Sequence, residues 1–169
     1  MTGASGAERI ERTRIEDPSA MHELGRRLGA VLTAGDLVVL TGPLGAGKTT
    51  LTAGIGEALG VRGPVTSPTF VLARTHPSLV GGPALVHVDA YRLGSAAELD
   101  DLDLDYEHAV VVVEWGEGLL DGVSDSLLEV VLTRPGDDAV PDDEAPIEPR
   151  TVELRRTGPR WADVPPLLG

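Results

Sequence analysis

The stretch that decides the fold runs from residue 36 to residue 50 and reads DLVVLTGPLGAGKTT. Its first part, residues 36–41, is a short and almost continuous apolar run, the pattern of a strand covered on both faces. A glycine-rich turn follows directly, and the spacing then predicts a helix over residues 48–59 that Gly60 closes. The order strand, glycine loop, helix predicts an α/β arrangement around this segment.

The glycine-rich turn, residues 42–49, matches the phosphate-binding pattern G-x-x-x-x-G-K-[ST]. Glycines allow backbone N–H groups to surround an anion, the lysine reaches the β- and γ-phosphates, and the final hydroxyl can bind Mg²⁺. The alternative is a glycine-rich helix entry with a chance lysine, which the position between a strand and a helix disfavours. The residues expected to contact phosphate are Leu44, Gly45, Ala46, Gly47, Lys48, Thr49 and Thr50.

The composition of the chain limits the kinds of partner that its surface can attract. The chain has 27 acidic and 14 basic residues and a formal charge of −13, so strong direct binding to nucleic acid or to anionic lipid is not expected. Lys48 is the only lysine. Repulsion from distant surface charges is screened beyond about 8 Å, whereas the helix N-terminus and Lys48 attract a phosphate at contact. The absence of cysteine fits a reducing cytoplasm, and no apolar stretch is long enough for a membrane span.

Apolar periodicity predicts the other elements. Asp17 is the expected N-cap of a helix that continues to about residues 34–35, and Ser95 with Glu98 forms a capping box that begins a short acidic helix. Residues 1–14 are expected to be a frayed start or an edge strand, and the acidic, proline-containing residues 134–150 a mobile loop. Further strands are predicted at residues 69–73, 84–88, 109–113, 127–133 and 151–155, the last two as a possible hairpin.

This alternation of strands and helices predicts the fold class α/β. We expect residues 1–169 to form one three-layer, P-loop NTPase-like domain, with a mixed, partly parallel sheet flanked by helices.

Two predicted strands end in a carboxylate, namely Asp89 and Glu114. In a parallel sheet both would emerge at the carboxyl edge beside the glycine loop, where an acidic residue can hold Mg²⁺ or orient a water. The competing interpretation for each is an ordinary surface carboxylate. His87, inside an apolar strand, is interpreted as a core histidine with satisfied hydrogen bonds, and Trp115 is equally compatible with simple packing.

The ordered set of these segments resembles the bacterial TsaE (YjeE) family over residues 17–117. The matching segments are GPLGAGKTT at residues 42–50, SPTF at 67–70, HVDAYRL at 87–93 and VEWGE at 113–117. The resemblance implies an ATPase of tRNA threonylcarbamoyladenosine biosynthesis that uses ATP and Mg²⁺, hydrolyses ATP slowly alone and acts with the partners TsaB and TsaD. It also implies a cytoplasmic protein that meets tRNA only through that complex and needs no membrane.

The resemblance also implies roles for individual residues. Lys48 would bind phosphate, Thr49 and Glu114 would hold Mg²⁺, and Asp89 would act at the metal or at the attacking water, so that Lys48, Asp89 and Glu114 are the expected catalytic residues. Ser67 and Thr69 would belong to a switch-like loop, and Trp115 would flank the nucleotide. Arg150 is the candidate for the family's late arginine near the nucleotide, with a surface arginine as the equal alternative.

Two other functions remain open from the sequence. A small-molecule kinase of the P-loop class would need a basic lid, but residues 93–133 contain no lysine or arginine. A nucleotide-gated binding module with negligible turnover differs from a slow ATPase only in rate. A GTPase is disfavoured, because the usual guanine-reading N-K-x-D needs a second lysine.

Overall fold

The computed structural model describes residues 9–43, 46–63, 65, 73–90, 93, 95–115, 120, 123–133, 149–162 and 164–168, without the side chains of Ala96 and Asp100. Within these residues the chain forms seven strands, three α-helices and a short 3₁₀ turn. In chain order they are β1 Arg9–Ile15, α1 Pro18–Gly29, β2 Leu37–Thr41, α2 Lys48–Leu59, β3 Ala73–His76, β4 Ala84–Asp89, α3 Ala96–Asp100, β5 Ala109–Glu114, β6 Leu127–Thr133, β7 Arg150–Thr157 and the turn Pro159–Trp161.

All seven strands belong to one mixed sheet with the order β1-β7-β6-β2-β5-β4-β3. The four central strands, β6, β2, β5 and β4, are parallel. The remaining pairs, β1 with β7, β7 with β6 and β3 with β4, are antiparallel. The strand that precedes the glycine loop therefore lies in the parallel centre, and its carboxyl end meets those of β4, β5 and β6.

Each face of the sheet buries its own apolar cluster. Strand β5 is buried at all six positions because both faces are covered, which explains its unbroken valine run. Helices α1 and α2 cover one face, and α3 with neighbouring connecting residues covers the other. The first cluster includes Leu24, Leu28, Leu40, Leu51, Ile55, Val112 and Leu154, and the second includes Val39, Val88, Leu99, Val111 and Val113.

Helices α1 and α2 approach each other through glycine. A Cβ at Gly25 would lie 2.2 Å from the carbonyl oxygen of Leu51, and one at Gly54 would lie 2.1 Å from that of His22. Only glycine permits this backbone approach, which packs the helix that follows the glycine loop against both α1 and the sheet. Among the described residues, no helix has the length and apolar character needed to cross a membrane.

The α/β class and the mixed, partly parallel sheet are confirmed, as are the bounds of α2 and β6. Residues 9–15 form the predicted edge strand, and Ser95 Oγ caps α3 by accepting from the Glu98 N–H at 3.3 Å. Residues 1–8 and 134–148 lie outside the described residues. Arg150 was predicted to be the last residue of the acidic loop, but it is the first residue of β7. That residues 1–169 form a single domain stays a prediction.

The largest errors in the predicted boundaries concern the end of the first helix and the end of the strand predicted at residues 69–73. Asp17 caps α1 as expected, but the helix ends at Gly29 and not at residues 34–35. Beyond Gly29 the Val31 N–H donates three residues back, to the Leu28 carbonyl at 3.0 Å. Residues 33–36 then form a turn, in which the Thr33 N–H donates to Asp36 Oδ2 at 2.7 Å and the Asp36 N–H donates to the Thr33 carbonyl at 3.0 Å. The strand predicted at residues 69–73 is observed at Ala73–His76, while residues 69–72 lie outside the described residues.

A buried arginine on β7 ties the C-terminal segment to the sheet. Arg156, only 2% exposed, donates to the carbonyl oxygens of Val164 at 2.8 Å and Pro165 at 3.2 Å. It also forms an ion pair with Glu11 of β1 at 3.2 Å. These contacts hold residues 164–168 against the first apolar cluster.

We expect Arg156→Met to lower the free energy of unfolding by about 3–5 kcal/mol, the usual effect of removing one partner of a buried ion pair. The adjacent Arg155→Met is the matched control. Arg155 pairs with Glu129 at 3.2 Å but its side chain is 41% exposed, so we expect a loss of at most about 1 kcal/mol. Urea unfolding of both variants measures the difference, and equal losses would contradict the anchoring role of Arg156.

Candidate active site at the carboxyl edge of the sheet

The glycine loop connects the end of β2 to the start of α2. Gly47 is the N-cap of α2, and its φ of 109° is a left-handed conformation that suits glycine. Because glycine has no side chain, the N-cap position makes no side-chain hydrogen bond to the helix. Within the described part of the chain, the N-cap therefore offers no side-chain acceptor to the first N–H groups of α2. A helix N-terminus of this kind favours an anion. Leu44 and Gly45 lie outside the described residues.

Lys48 is the central cation of this site. It is only 6% exposed, and its Nζ donates to the carbonyl oxygens of Gly42 at 2.6 Å and Pro43 at 3.0 Å. The same ammonium lies 4.1 Å from the centroid of the Trp115 ring. Burial lowers the pKa of Lys48, and the negative charges of Glu114 and Asp89 partly oppose this shift.

Trp115 owes its position to an unusual backbone conformation. Its φ is 64°, which is rare for a bulky residue and costs on the order of 1–3 kcal/mol. The Trp115 N–H donates to the Leu40 carbonyl at 3.2 Å, so the residue after β5 is anchored to the strand that precedes the glycine loop. This turn brings the indole ring over Lys48, and Trp115 is therefore part of the site.

Asp89 and Glu114 lie side by side at the ends of β4 and β5. They are directly paired in the parallel register, and Glu114 is also paired with Leu40 of β2. Glu114 is buried at 5% exposure, while Asp89 is half-buried. The structure thus brings both predicted carboxylates to the edge where the glycine loop begins, close enough to influence the pKa of Lys48.

His87 is a site residue that the sequence interpretation missed. Its ring is fully buried, and its Nε2 lies 2.7 Å from Glu114 Oε2. The histidine is in the core, as expected, but among the described residues its Nδ1 has no partner, and its Nε2 bonds to the carboxylate of the site. Strand alternation was the available signal, because His87 lies two residues before Asp89 on the same face of β4.

The other residues that the sequence predicts for the site lie at different distances from the glycine loop, or outside the described residues. Ala46 is buried, and Thr49 and Thr50 are half-buried in the first turn of α2. Arg150 begins β7 at the same edge of the sheet, but two strands away from β2. Ser67 and Thr69 lie outside the described residues. Within the described part of the chain, no group of three or more histidine, aspartate or glutamate residues is arranged to hold a metal ion.

P-loop NTPase-like α/β proteins have a sheet with a parallel centre, in which a glycine loop connects a middle strand to a helix. The buried lysine at the start of that helix and the carboxylates on neighbouring strand ends agree with this class.

Comparison with known proteins identifies the family within this class. A family model described as threonylcarbamoyl adenosine biosynthesis protein TsaE matches residues 15–139. The chain is 55% identical over 154 residues to the tRNA threonylcarbamoyladenosine biosynthesis protein TsaE of Streptomyces coelicolor, covering 88% of this chain and 100% of that protein. It is 56% identical over 141 residues to the Mycobacterium tuberculosis protein of the same name, covering 78% and 82%. The chain therefore belongs to the TsaE family, which acts in tRNA threonylcarbamoyladenosine biosynthesis.

The fold has a matching crystal structure. YdiB from Bacillus subtilis superposes with a TM-score of 0.69 at 28% identity, covering 93% of this chain and 92% of that chain. This match confirms the α/β fold. The family match ends at residue 139, before Arg150, so the suggested role of this arginine stays a prediction.

Proposed function

We propose that this chain binds ATP with Mg²⁺ at the carboxyl edge of its sheet and hydrolyses the nucleotide slowly. The observation that carries the proposal is the convergence of three features at that edge. They are a buried lysine, a helix N-terminus that has no side-chain cap among the described residues, and two adjacent strand-end carboxylates. These are the groups that phosphoryl transfer by a P-loop protein requires.

Phosphate binding would replace contacts that Lys48 makes within the chain. Its ammonium is satisfied by the carbonyl oxygens of Gly42 and Pro43, both part of the glycine loop. Phosphate oxygens carry more negative charge than these carbonyls and would bind the ammonium more strongly. They would also raise the pKa of Lys48, opposing the effect of burial.

The residues at this edge fit Mg²⁺. This ion takes oxygen ligands and commonly binds through one or two carboxylates together with substrate phosphates and water. Glu114 and Asp89 provide two carboxylates, and the Thr49 hydroxyl is on the first turn of the helix that begins at Lys48. We propose that Thr49 and Glu114 hold the ion and that Asp89 acts at the metal or orients the attacking water. Bound Mg²⁺ would supply charge neutralisation at the reacting phosphate.

We further propose that nucleotide turnover supports partner proteins, homologues of TsaB and TsaD, which install threonylcarbamoyl on the adenosine next to the tRNA anticodon. The family's role in this biosynthesis supports the assignment. The formal charge of −13 disfavours direct strong binding of tRNA, so contact with tRNA would be indirect, through the complex and in the cytoplasm.

The pathway proposal is tested by reconstitution. TsaB, TsaD, tRNA, threonylcarbamoyl-adenylate and ATP with Mg²⁺ are combined with and without this chain, and modified tRNA is counted per TsaD over time. We expect sustained modification over many turnovers only when the chain is present. Equal yields with and without the chain over many turnovers would contradict the proposed role.

Two variants make this assay specific for nucleotide use. Lys48→Ala should behave like omission of the chain, because it lacks the phosphate-binding ammonium. Arg62→Ala is the matched control, since it also removes one positive charge but lies just beyond the far end of α2, about 18 Å along the helix from Lys48. Full support by Lys48→Ala would contradict the proposed dependence of the pathway role on phosphate binding by Lys48.

A further inference from the structure

His87 occupies a position where an apolar side chain would be the ordinary choice. It lies within β4 and is 0% exposed, opposite Val112 in the register with β5. Burying a polar ring here costs free energy unless its hydrogen bonds are satisfied. Among the described residues its Nδ1 has no partner, so the bond of Nε2 to Glu114 is the contact that compensates for burial of the ring.

The direction of this hydrogen bond follows from the acceptor. A carboxylate has no hydrogen to donate, so the Nε2–H of His87 donates to Glu114 Oε2 over 2.7 Å. A short bond to a charged acceptor, away from water, is among the stronger hydrogen bonds in proteins. It fixes one oxygen of Glu114 and therefore the rotation of the whole carboxylate.

The backbone of Glu114 is already fixed by its neighbours. Its carbonyl oxygen accepts from the Ala90 N–H at 2.9 Å, and the next residue, Trp115, is anchored to Leu40. The side chain, in contrast, has three rotatable bonds. His87 contributes what the backbone contacts cannot, namely a fixed orientation of the carboxylate at the end of the side chain.

We propose that His87 is a positioning residue for Mg²⁺: it holds the Glu114 carboxylate in the orientation that binds the ion, without touching the ion or the nucleotide itself. This inference rests on the proposed function, because it assumes that Glu114 binds Mg²⁺. Hydrogen-bond partners of metal ligands commonly change metal affinity by about 10–100-fold when they are removed.

The test begins with three single variants of the full chain. His87→Leu keeps an apolar volume but has no donor, whereas His87→Gln retains an N–H that can reach the carboxylate. The matched control is His76→Leu, since His76 is also buried, at 7% exposure, but bonds to the Arg62 carbonyl and not to Glu114. Circular dichroism and the melting temperature without ligand establish that each variant is folded.

Binding of the nonhydrolysable ATP analogue AMP-PNP is measured at a series of Mg²⁺ concentrations and again in EDTA. We expect His87→Leu to raise the Mg²⁺ concentration for half-maximal binding about 10–100-fold and to leave binding in EDTA unchanged. His87→Gln should return this concentration to within a few-fold of the unmodified chain, and His76→Leu should not change it. In a Glu114→Gln background, His87→Leu should have no further effect, because the charged carboxylate it orients is gone.

Three results would overturn the positioning role. They are an unchanged Mg²⁺ requirement in His87→Leu, a folded His87→Gln that resembles His87→Leu, and an equal effect of His76→Leu. Failure of the underlying function gives a different result, since the unmodified chain would then bind AMP-PNP no better with Mg²⁺ than in EDTA. That result would overturn both proposals, whereas the first three leave Mg²⁺-dependent binding intact.

Discussion

Replacing Lys48 by alanine is expected to abolish the rise in melting temperature that we expect ATP with Mg²⁺ to produce in the unmodified chain. At a nucleotide concentration about 100 times the dissociation constant, binding stabilises a protein by about 2.7 kcal/mol, which corresponds to roughly 5–10 °C for a chain of this size. Lys48 is the buried ammonium of the glycine loop, so in the proposed site its removal would leave the phosphates without their main side-chain cation. Differential scanning fluorimetry with and without nucleotide measures the effect.

Two controls separate loss of binding from loss of stability. Each variant is compared with itself in the absence of nucleotide, because removing a desolvated ammonium can change the stability of the free chain. Arg62→Ala should keep the full shift, while Lys48→Arg, which keeps the charge but not the geometry of the ammonium, should lose most of it. A full shift in Lys48→Ala would contradict the assigned role of this residue.

The second large effect is expected on turnover. Glu114→Gln should retain ATP binding but lose partner-stimulated hydrolysis by about 10²-fold, a typical result of removing one group that stabilises charge in the transition state. Glutamine preserves the shape of the side chain and can still accept from His87, so the variant removes mainly the negative charge. Phosphate release in the presence of the TsaB and TsaD homologues measures the rate.

Glu107→Gln is the matched control for this experiment. Glu107 is exposed and precedes β5, whereas Glu114 is the last residue of that strand, so the same charge is removed at the opposite edge of the sheet. We expect hydrolysis by this variant to equal that of the unmodified chain. Unchanged turnover in Glu114→Gln would exclude Glu114 from the proposed metal site.

The sequence was sufficient to predict the elements around the glycine loop. An unbroken apolar run predicts β2, and Gly47 and Gly60 mark the start and the end of α2. The adjacency of Asp89 and Glu114 was also predictable, because parallel strands bring their carboxyl ends to one edge of a sheet. These inferences depend only on local patterns and on one general property of α/β folds.

Contacts between distant parts of the chain were not predictable in this way. His87 and Glu114 are 27 positions apart, and their bond depends on the pairing of β4 with β5 and on two side-chain conformations. The position of Trp115 over Lys48 depends on a left-handed backbone at a tryptophan, which no propensity favours. The early end of α1 was likewise not predictable, since the apolar periodicity continues beyond it, whereas residues 33–36 form a turn that includes the Asp36 carboxylate.

The most direct test of the central proposal is the binding of AMP-PNP to the unmodified chain, measured by isothermal titration calorimetry with Mg²⁺ and in EDTA. If the carboxyl edge of the sheet is a Mg²⁺-dependent nucleotide site, one nucleotide binds per chain and binding is tighter with Mg²⁺. The absence of binding up to millimolar nucleotide in both conditions would contradict it.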